Sequence, residues 1–212
     1  YNSQMKAAVA NKKGRFKKEI VTVEIPQRKK DSIIFSQDEF IKPQTSIEIL
    51  SKLKTVFKEN GTVTAGNSSG LNDGAAAMLL ASNKAVKKYD LKPLAKIISS
   101  AVVGVEPRIM GIGPVEASKK ALKKANLSLN DMDIIELNEA FSAQALACIR
   151  ELGLKDNDKR INPNGGAIAL GHPLGASGTR IIQTAALELQ QKNKKYALIT
   201  MCIGVGQGYA PI

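Results

Sequence analysis

Beyond residue 95 the sequence alternates short apolar segments with amphipathic ones, and this alternation is the strongest constraint on its fold. The apolar segments have strand length, and the amphipathic ones repeat apolar residues with helical spacing. Such alternation is typical of an α/β sheet covered by helices. The glycine-rich stretches 162–171 and 204–208 are predicted as a link and a terminal turn. We predict strands at 97–105, 132–137 and 197–202 and helices at 114–124, 141–152 and 176–191.

The sequence before residue 95 is less regular but is punctuated by glycine and proline. Pro26 ends a predicted strand, and Thr45 with Glu48 forms a capping box before an amphipathic segment. Three consecutive alanines at 75–77 predict close packing of a later helix against a flat surface. From these signals we predict a helix over 1–13, a strand over 20–25, a loop over 28–43, a helix over 45–57 and a helix from 72 to about 88.

The composition excludes several classes of protein. With 212 residues, 43% of them hydrophobic, the chain can bury a sizeable core. It contains no run of about 18 apolar residues, so no transmembrane helix is predicted. Two cysteines and one histidine form no cluster with metal-ligand spacing, which predicts no metal site and a reducing compartment. Because no secretory leader is visible, we expect a cytoplasmic protein.

The net charge of +12 comes mainly from lysine-rich runs such as residues 12–13, 28–30 and 192–195. A nucleic-acid-binding surface needs aromatic residues among the basic ones, or a recognition motif. Aromatic residues make up only 4% of the chain, and no such motif occurs. We therefore predict solvated lysine surfaces and no nucleic-acid partner. An anionic small molecule, such as a phosphorylated cofactor, is the alternative reason for the charge.

Three segments at predicted element junctions carry residues suited to chemistry: 138–141, 165–178 and 202–208. In open α/β sheets such junctions build binding and catalytic sites. Neither residues 111–114 nor residues 204–208 complete a dinucleotide-binding fingerprint, and no phosphate-binding loop is present. The chemistry is therefore sought in the side chains of the three segments.

His172, the only histidine, lies in the glycine-rich segment directly before Pro173. Glycines there let the backbone approach a ligand closely, and imidazole is the natural general base near neutral pH. A satisfied structural histidine is the alternative. The local residues leave both interpretations open.

Cys202 ends a predicted buried strand just before Gly204, where a thiol can meet substrate, although a cysteine in an apolar strand commonly fills a core. Cys148 lies in a predicted helix among apolar residues and is predicted as core. Asn138 and Glu139 either cap the following helix or supply an amide that fixes a water or an oxyanion. Local sequence does not separate these two roles.

Taken in chain order, these segments resemble the thiolase family of acyl-CoA acyltransferases. The resemblance rests on residues 138–141, 171–173 and 202–204, and on residues 64–76, which are similar to the family's CoA-facing loop. It covers essentially the whole chain. It implies an α/β fold of the layered thiolase type, with a mixed sheet flanked by helices, here a carboxy-terminal core domain plus part of the loop domain.

The resemblance implies an acetyl-CoA C-acyltransferase that exchanges an acyl group between a reactive cysteine and CoA, forming or cleaving a 3-ketoacyl-CoA. By resemblance, His172 activates the thiol and Cys202 moves the proton at the acyl α-carbon. Asn138 would hold a water that, with His172, stabilises the thioester enolate oxygen. The Gly204 N–H would donate in a second oxyanion hole.

The resemblance also identifies positions that would contact coenzyme A. They are Ser69, Ala65, Ala140 and Phe141, with Lys42 as a basic residue facing the nucleotide phosphates. Coenzyme A or acyl-CoA is then the substrate, and no cofactor is expected to be tightly bound. A homo-oligomer is expected, without membrane or nucleic-acid partners.

The resemblance further implies a domain order that lacks one functional segment. Residues 1–71 would be the tail of the CoA-binding loop domain, 72–93 the end of the amino-terminal core domain, and 94–212 the carboxy-terminal core domain. The family's acylated cysteine lies in an amino-terminal segment that neither Cys148 nor Cys202 matches. A truncated, inactive CoA- or partner-binding module is therefore an alternative. A decarboxylating or hydrolytic condensing enzyme is another, although such relatives typically carry histidine where Cys202 stands.

Overall fold

The computed structural model describes all residues from 1 to 212. Six strands form: β1 (Val23–Gln27), β2 (Lys30–Phe35), β3 (Ser100–Gly104), β4 (Ile134–Leu137), β5 (Ala197–Ile203) and β6 (Gln207–Pro211). Seven α-helices accompany them: α1 (Asn2–Lys12), α2 (Ile47–Ser51), α3 (Asn83–Lys88), α4 (Gly113–Ala125), α5 (Ser142–Glu151), α6 (Ala167–Leu170) and α7 (Leu174–Gln191).

The carboxy-terminal part is built on a four-stranded mixed sheet in the order β3-β6-β5-β4. Strand β4 runs parallel to β5, whereas β6 is antiparallel to both β5 and β3. Parallel strands need a crossover between them, and here the crossover contains α5, α6 and α7. The predicted α/β fold, a mixed sheet flanked by helices, is confirmed.

The two faces of this sheet are covered by different helices. Along β4, Ile135 and Leu137 point to a large core shared with α4 and α5, and Ile134 points to a smaller core shared with α7. This alternation follows from the two-residue period of a strand. The smaller core consists of Ile134, Ile181, Ala185, Ala197 and Ile199. Glu136 must therefore share the α7 face of β4 with Ile134.

The amino-terminal helix α1 is attached to the carboxy-terminal part by polar contacts. The Gln4 side chain donates to the Ile168 carbonyl at 3.2 Å, and Lys6 donates to the Ile161 carbonyl at 2.7 Å. Just beyond the helix, the Arg15 guanidinium donates to the Glu188 carboxylate at 2.7 Å. Both charged groups of that pair are buried, and a buried pair is sensitive to loss of either partner.

Strand β3 forms one edge of the sheet, and two lysines from α4 cover its outward carbonyls. Lys120 Nζ donates to the Val102 carbonyl at 3.2 Å, and Lys124 Nζ donates to the Ser100 carbonyl at 2.8 Å. An edge strand otherwise presents unpaired acceptors to its surroundings. The edge therefore has its acceptors satisfied by side chains of the same chain.

Beyond residue 95 the predicted helices and strands are confirmed, with ends shifted by up to three residues. The predicted link over 162–171 is wrong in part, because it contains the short helix α6. The prediction of a terminal turn over 204–208 is wrong in its second half, because the turn leads into β6. Val205 and Gly206 have φ angles of +67° and +87°, which reverse the chain tightly. The reversal lets β6 pair with β5 on one side and β3 on the other.

The predicted loop over 28–43 is wrong, because Lys30–Phe35 forms β2 and pairs with β1 in an antiparallel hairpin. The β-branched and aromatic residues at 33–35 favour a strand in spite of the surrounding charge. Pro26 does not end β1 but lies within it, where the register shifts between Ile25 and Gln27. Proline is tolerated at such an irregularity. Predicted helix 1–13 is confirmed as α1.

The predicted helix over 45–57 shortens to α2, and its predicted capping box is wrong. Ser46, not Thr45, caps the helix, because the Ser46 hydroxyl accepts the Ile49 N–H at 3.1 Å. Thr45 instead donates its hydroxyl to the Lys42 carbonyl at 2.8 Å. The chain is no longer helical after α2, and Thr55 forms an isolated antiparallel β-bridge with Thr64. Local pairing there replaces the helical turns that the apolar spacing predicts.

The predicted helix from 72 to 88 is confirmed only as α3, which Ser82 caps by accepting the Ala85 N–H at 3.2 Å. Residues 72–82 contain no helix, and the alanines at 75–77 are exposed, so their predicted close packing is wrong. Short helices draw most of their stability from tertiary packing of an apolar face. Here Met78, Leu79 and Leu80 are exposed, so no such face is packed.

None of the helices is long and apolar enough to cross a membrane.

We predict that Leu198→Ala lowers the free energy of unfolding by about 2–5 kcal/mol, since Leu198 is 0% exposed at the centre of the larger core. Truncation removes buried methyl groups and leaves a cavity. Urea unfolding followed by circular dichroism measures the change. Val102→Ala on β3 is the control, because Val102 is 53% exposed and should lose about 0.5 kcal/mol or less. Equal losses in the two variants would contradict the assignment of the core.

Candidate active site

His172 lies in the short segment between α6 and α7, and its backbone is held by close packing. Gly171 has a φ of +89°, a conformation that favours glycine. A Cβ at Gly171 would lie 2.6 Å from Asn72 Oδ1, and the same oxygen accepts the His172 backbone N–H at 3.1 Å. Glycine is therefore needed at 171 for Asn72 to hold the histidine segment.

The His172 ring is held on one side by Ser177, a buried serine in the first turn of α7. Ser177 Oγ lies 2.6 Å from His172 Nδ1 and 2.9 Å from the Pro173 carbonyl oxygen. The carbonyl can only accept, so the single hydroxyl proton of Ser177 is directed to it. Ser177 Oγ must then accept from Nδ1–H. This hydrogen-bond pattern assigns the proton of the neutral ring to Nδ1 and leaves the lone pair on Nε2.

Asn138 approaches the other side of the ring from the end of β4. Its side-chain Nδ2 lies 3.4 Å from His172 Nε2. The Asn138 backbone N–H donates to the Thr200 carbonyl at 3.0 Å and so continues the pairing of β4 with β5. The side-chain contact is long for a hydrogen bond, so it engages the Nε2 lone pair only weakly. The structure thus brings together the imidazole and the carboxamide that the sequence singles out.

The surroundings of His172 favour its uncharged form. Burial lowers the pKa of His172 below its ordinary value, and the positive charge of Arg180 lowers that pKa further. A neutral imidazole with a free Nε2 can accept a proton from a thiol at neutral pH. The geometry and the charge at this position therefore suit a general base.

Glu139 is buried beneath the same segment and ties three parts of the chain together. Its carboxylate accepts from Ser3 Oγ at 2.6 Å, from Asn162 Nδ2 at 2.7 Å and from the Ile168 N–H at 3.3 Å. Helix α5 begins only at Ser142, so Asn138 and Glu139 are not its cap and first turn. The capping alternative for these two residues is therefore wrong.

Cys202 lies at the same end of the sheet, in strand β5, but its thiol makes no hydrogen bond to His172 or Asn138. Alternation along β5 places it on the face of Leu198, opposite the α7 face. The buried Cys148 belongs to the core on that face, and the Cys202 thiol contributes to raising the pKa of Cys148. The structure therefore does not pair Cys202 with the imidazole.

Both thiols are buried rather than activated. Burial raises the pKa of Cys202 above its ordinary value, and it raises the pKa of Cys148 to about 11.

Gly204 lies two residues after Cys202 in an exposed turn, and its N–H makes no hydrogen bond within the chain. The Gly204 N–H is thus a free donor at the end of β5, as an oxyanion-binding role requires.

Two of the segments predicted to contact CoA lie side by side. The Ser69 N–H donates to the Ala140 carbonyl at 2.9 Å, and Ser68 forms an antiparallel bridge with Phe141. The Phe141 ring also packs edge-on against Phe57, with 6.2 Å between the ring centroids. Ser69, Ala140 and Phe141 therefore form one continuous surface that begins two residues after Asn138.

Ala65 and Lys42 lie around this surface. Ala65 is exposed in the loop that carries Ser69. Lys42 is exposed, and its Nζ lies 5.2 Å from the centroid of the Phe40 ring. The Phe40 ring packs against the loop at Gly70, because a Cβ at Gly70 would lie 2.6 Å from Phe40 Cζ. Lys42 thus lies near the end of the loop, with which its side chain forms no hydrogen bond or ion pair. No group of three or more His, Cys, Asp or Glu side chains is placed to hold a metal ion.

Sequence reasoning missed Ser177 and Asn72 as residues that organise this site, and it considered Glu139 only together with Asn138, without its anchoring role. Ser177 orients the imidazole, Asn72 holds its backbone, and Glu139 anchors the segment below it. The sequence indicates the role of Ser177 only weakly: it stands five residues after His172, so the first turn of a following helix can bring its hydroxyl next to the imidazole ring. The sequence gives no such indication for Asn72, because Asn72 is 100 residues away from its partner.

Family models match both parts of the chain: "Thiolase, N-terminal domain" over residues 1–84 and "Thiolase, C-terminal domain" over residues 91–212. Among known proteins, the beta-ketoadipyl-CoA thiolase of Acinetobacter baylyi is 62% identical over 100% of this chain and 53% of its own length. The 3-oxoadipyl-CoA/3-oxo-5,6-dehydrosuberyl-CoA thiolase of Escherichia coli is 52% identical over 99% of this chain and 52% of its own length.

Solved structures show the same likeness. An acetyl-CoA acetyltransferase of Bacillus anthracis superposes with a TM-score of 0.94 at 42% identity, covering 99% of this chain and 52% of that one. Human mitochondrial 3-ketoacyl-CoA thiolase in complex with CoA superposes with a TM-score of 0.93 at 50% identity, covering 99% and 51%. The sheet, its helices and these matches define a layered α/β fold of the thiolase type. The chain belongs to the thiolase family, and it spans about half the length of the relatives it matches.

We predict that Ser177→Ala disturbs the His172 ring, because the Nδ1–H loses its buried acceptor. The free energy of unfolding should fall by about 1–3 kcal/mol, the cost of an unsatisfied buried donor. The imidazole should shift partly to the Nε2–H tautomer. Nitrogen-15 chemical shifts of the ring distinguish the two tautomers and measure the change.

Ser118→Ala is the matched control for this prediction. Ser118 is as deeply buried as Ser177, but its hydroxyl has no hydrogen-bond partner. Because its removal breaks no hydrogen bond, stability should not fall, and the ring signals should stay unmoved. Unchanged ring shifts in Ser177→Ala would show that Ser177 does not set the tautomer.

Proposed function

We propose that this chain forms part of a thiolase that transfers an acyl group between a 3-ketoacyl-CoA and coenzyme A. The observation that carries the proposal is the His172–Asn138 pair at the end of β4, with the proton on Nδ1 and the Nε2 lone pair available. The surface of Ser69, Ala140 and Phe141 begins next to this pair, which supports a bound pantetheine arm there. The printed title of one structural neighbour names CoA as its ligand.

In the proposed reaction His172 Nε2 takes the proton of an attacking thiol. The thiolate sulfur forms a bond to the ketone carbon of the substrate while the neighbouring carbon–carbon bond breaks. The electron pair of the broken bond passes to the released acetyl-CoA as its enolate, and the Cys202 thiol supplies the proton that the α-carbon then takes. Coenzyme A next attacks the acyl thioester, and its thiol proton passes to the Cys202 thiolate. The first sulfur leaves and takes back the proton held on His172, so that acyl-CoA is released and both groups are restored. Asn138, through a water, and the Gly204 N–H stabilise the developing oxyanions.

We place the acylated nucleophile outside these 212 residues. Burial raises the pKa values of both Cys148 and Cys202, whereas a nucleophilic cysteine needs a lowered pKa or an adjacent base. Neither thiol hydrogen-bonds to the imidazole. The same observations favour a second candidate, an inactive module that binds CoA or a protein partner.

We further propose that the substrate is a 3-ketoacyl-CoA with a carboxylate at the far end of its acyl chain, as in 3-oxoadipyl-CoA. The support is the names of the two relatives at 62% and 52% identity. An acetoacetyl-CoA substrate is the alternative, supported by the Bacillus anthracis neighbour at 42% identity. A homo-oligomer, the domain boundaries at 71 and 93, and a phosphate-facing Lys42 remain predictions.

Thiolysis tests the proposal in a polypeptide of full thiolase length that carries this chain. We expect 3-oxoadipyl-CoA to be cleaved with a higher kcat/KM than acetoacetyl-CoA. His172→Ala should lower kcat by about 10²–10⁴-fold, the usual loss when a general base is removed. CoA binding measured by calorimetry should survive in the variant.

Each outcome of this assay separates the candidates. Unchanged turnover in His172→Ala would remove His172 from the chemistry. A preference for acetoacetyl-CoA would overturn the dicarboxylate assignment alone. CoA binding without turnover in the wild-type full-length polypeptide would favour the inactive module.

Cys202→Ser should slow the exchange of the α-protons of acetyl-CoA by about 10²-fold or more, because a hydroxyl is a poorer acid than a thiol. Acylation of the enzyme should change much less. Proton exchange is followed by NMR in heavy water and acylation by intact mass. Cys148→Ser is the matched control, since its side chain can still donate to the Gly111 carbonyl. Equal loss of exchange and acylation in Cys202→Ser would refute the proton-transfer role.

A further inference from the structure

Three buried side chains form a continuous hydrogen-bonded network between the segment that carries Asn138 and the segment that carries His172. They are Ser3 of α1, Asn162 and Glu139, which are 8%, 2% and 9% exposed. Glu139 Oε2 accepts the Ser3 hydroxyl at 2.6 Å, and Glu139 Oε1 accepts a hydrogen of Asn162 Nδ2 at 2.7 Å. A buried polar group without a partner is costly, so each member of this Ser3–Glu139–Asn162 network depends on the others.

At one end of the network, Asn162 holds the end of β4 directly before Asn138. Asn162 Oδ1 accepts the Leu137 N–H at 2.9 Å, and Asn162 Nδ2 donates to the Leu137 carbonyl at 2.8 Å. Because a backbone N–H only donates and a carbonyl only accepts, these two bonds fix the orientation of the amide. The second hydrogen on Nδ2 is then directed at Glu139, which must offer an acceptor.

At the other end, Ser3 and Glu139 hold the start of α6, the helix that ends two residues before His172. Ser3 Oγ accepts the Gly166 N–H at 3.0 Å, and Glu139 Oε2 accepts the Ile168 N–H at 3.3 Å. A Cβ at Gly166 would overlap the Glu139 carboxyl group, so glycine lets the two segments approach this closely. The Glu139 side chain therefore joins the end of β4 to the helix that carries the imidazole segment.

The network requires a carboxylate at residue 139, because all three groups that reach it are donors. They are a hydroxyl, a side-chain amide and a backbone N–H. A carboxylate only accepts and satisfies all three, whereas a glutamine amide has one oxygen and one NH2 group. A glutamine here would turn its NH2 group either against Asn162 Nδ2 or against Ser3 and the Ile168 N–H. A side chain of the same size thus cannot replace the glutamate.

We infer that Glu139 is a positioning residue for the proposed reaction: its carboxylate joins the backbone beside Asn138 to the helix before His172, and so sets the contact between carboxamide and imidazole. Glu139 hydrogen-bonds to neither of these side chains and acts through Asn162 and α6. The inference rests on the proposed function for its catalytic meaning. The anchoring itself can be measured without turnover.

Hydrogen–deuterium exchange with mass spectrometry on the full-length polypeptide tests the anchoring. In Glu139→Gln, peptides covering residues 166–172 should exchange about tenfold faster or more, because the N–H groups of this segment lose buried acceptors. Glu19→Gln is the matched control. Glu19 is a largely buried carboxylate that also accepts only from donors, Arg15 and Thr184, but it makes no hydrogen bond to residues 166–172. This control should leave the exchange of residues 166–172 close to wild type.

Thiolysis by the same polypeptide tests the positioning. Glu139→Gln should lower kcat by about 10–10²-fold, as expected when reacting groups are misplaced by about 1 Å. In an Asn138→Ala background the same substitution should lower kcat by about threefold or less, because the contact that Glu139 positions is already absent. Glu19→Gln should leave kcat close to wild type. A purely structural role would not make the effect of Glu139→Gln depend on the Asn138 side chain.

Ser3→Ala is the second variant, used if Glu139→Gln does not fold. It removes one donor to Glu139 and the acceptor of the Gly166 N–H, but it leaves the Asn162 bond in place. Exchange over residues 166–172 should again become faster, and kcat should again fall, each by less than in Glu139→Gln. Unchanged exchange and unchanged kcat in Ser3→Ala would overturn the inference.

The results separate this inference from the proposed function. Faster exchange of residues 166–172 in Glu139→Gln, without thiolysis in the wild type, would sustain the anchoring and refute the proposed reaction. Thiolysis in the wild type with an unchanged kcat in Glu139→Gln would overturn the positioning role and leave the reaction standing. Unchanged exchange in Glu139→Gln would overturn the inference too. So would an equal loss of kcat in the wild-type and Asn138→Ala backgrounds, or an equal loss in Glu19→Gln.

Discussion

The parallel pairing of β4 with β5 is the constraint on which the rest of the site depends. It brings the carboxyl ends of two strands to one edge of the sheet, and the Asn138 backbone continues the pairing one step beyond β4. Parallel strands require a crossover, and the glycine-rich segment with His172 is the last part of that crossover before α7. Because α7 packs directly on β4, the histidine at its start comes next to Asn138. The imidazole and the amide thus meet through topology rather than through a local motif.

The strand order brings the segments of the site together, and hydrogen bonds between buried polar groups then fix their exact positions. Glu139 links α1, the segment before α6 and the loop after β4, and it leaves no carboxylate oxygen unbonded. Such fully satisfied networks rigidify a site, since any displacement would leave a buried charge unpaired. On the other side of the imidazole, Asn138 Oδ1 has no hydrogen-bond partner within the chain. The imidazole is therefore held by a short hydrogen bond on its Ser177 side and only weakly on its Asn138 side.

Much of this fold can be predicted from the sequence, and the exceptions have physical causes. The apolar spacing of α7 and the uniform apolar character of β5 identify those elements because both pack on the core. The same reasoning is wrong for residues 72–82, because Asn72 is committed to the His172 segment and the apolar side chains after it are exposed. The glycine–histidine–proline segment and Asn138 stand out in the sequence by their junction positions. Ser177 does not, because its role depends on the imidazole that it meets when α7 folds against the preceding segment.

The lysine cover over β3 sets the direction in which this protein can associate. Two ammonium groups occupy the outward carbonyls of that strand, so a foreign strand could add there only by displacing both. The opposite side of the sheet is closed in a similar way, because Ile135 bridges to Ile161 beyond β4. Growth of the sheet by lateral addition is thereby hindered at both margins. The exposed apolar residues of 71–80 therefore offer copies of this chain, or the remainder of a longer polypeptide, a surface that does not require strand addition.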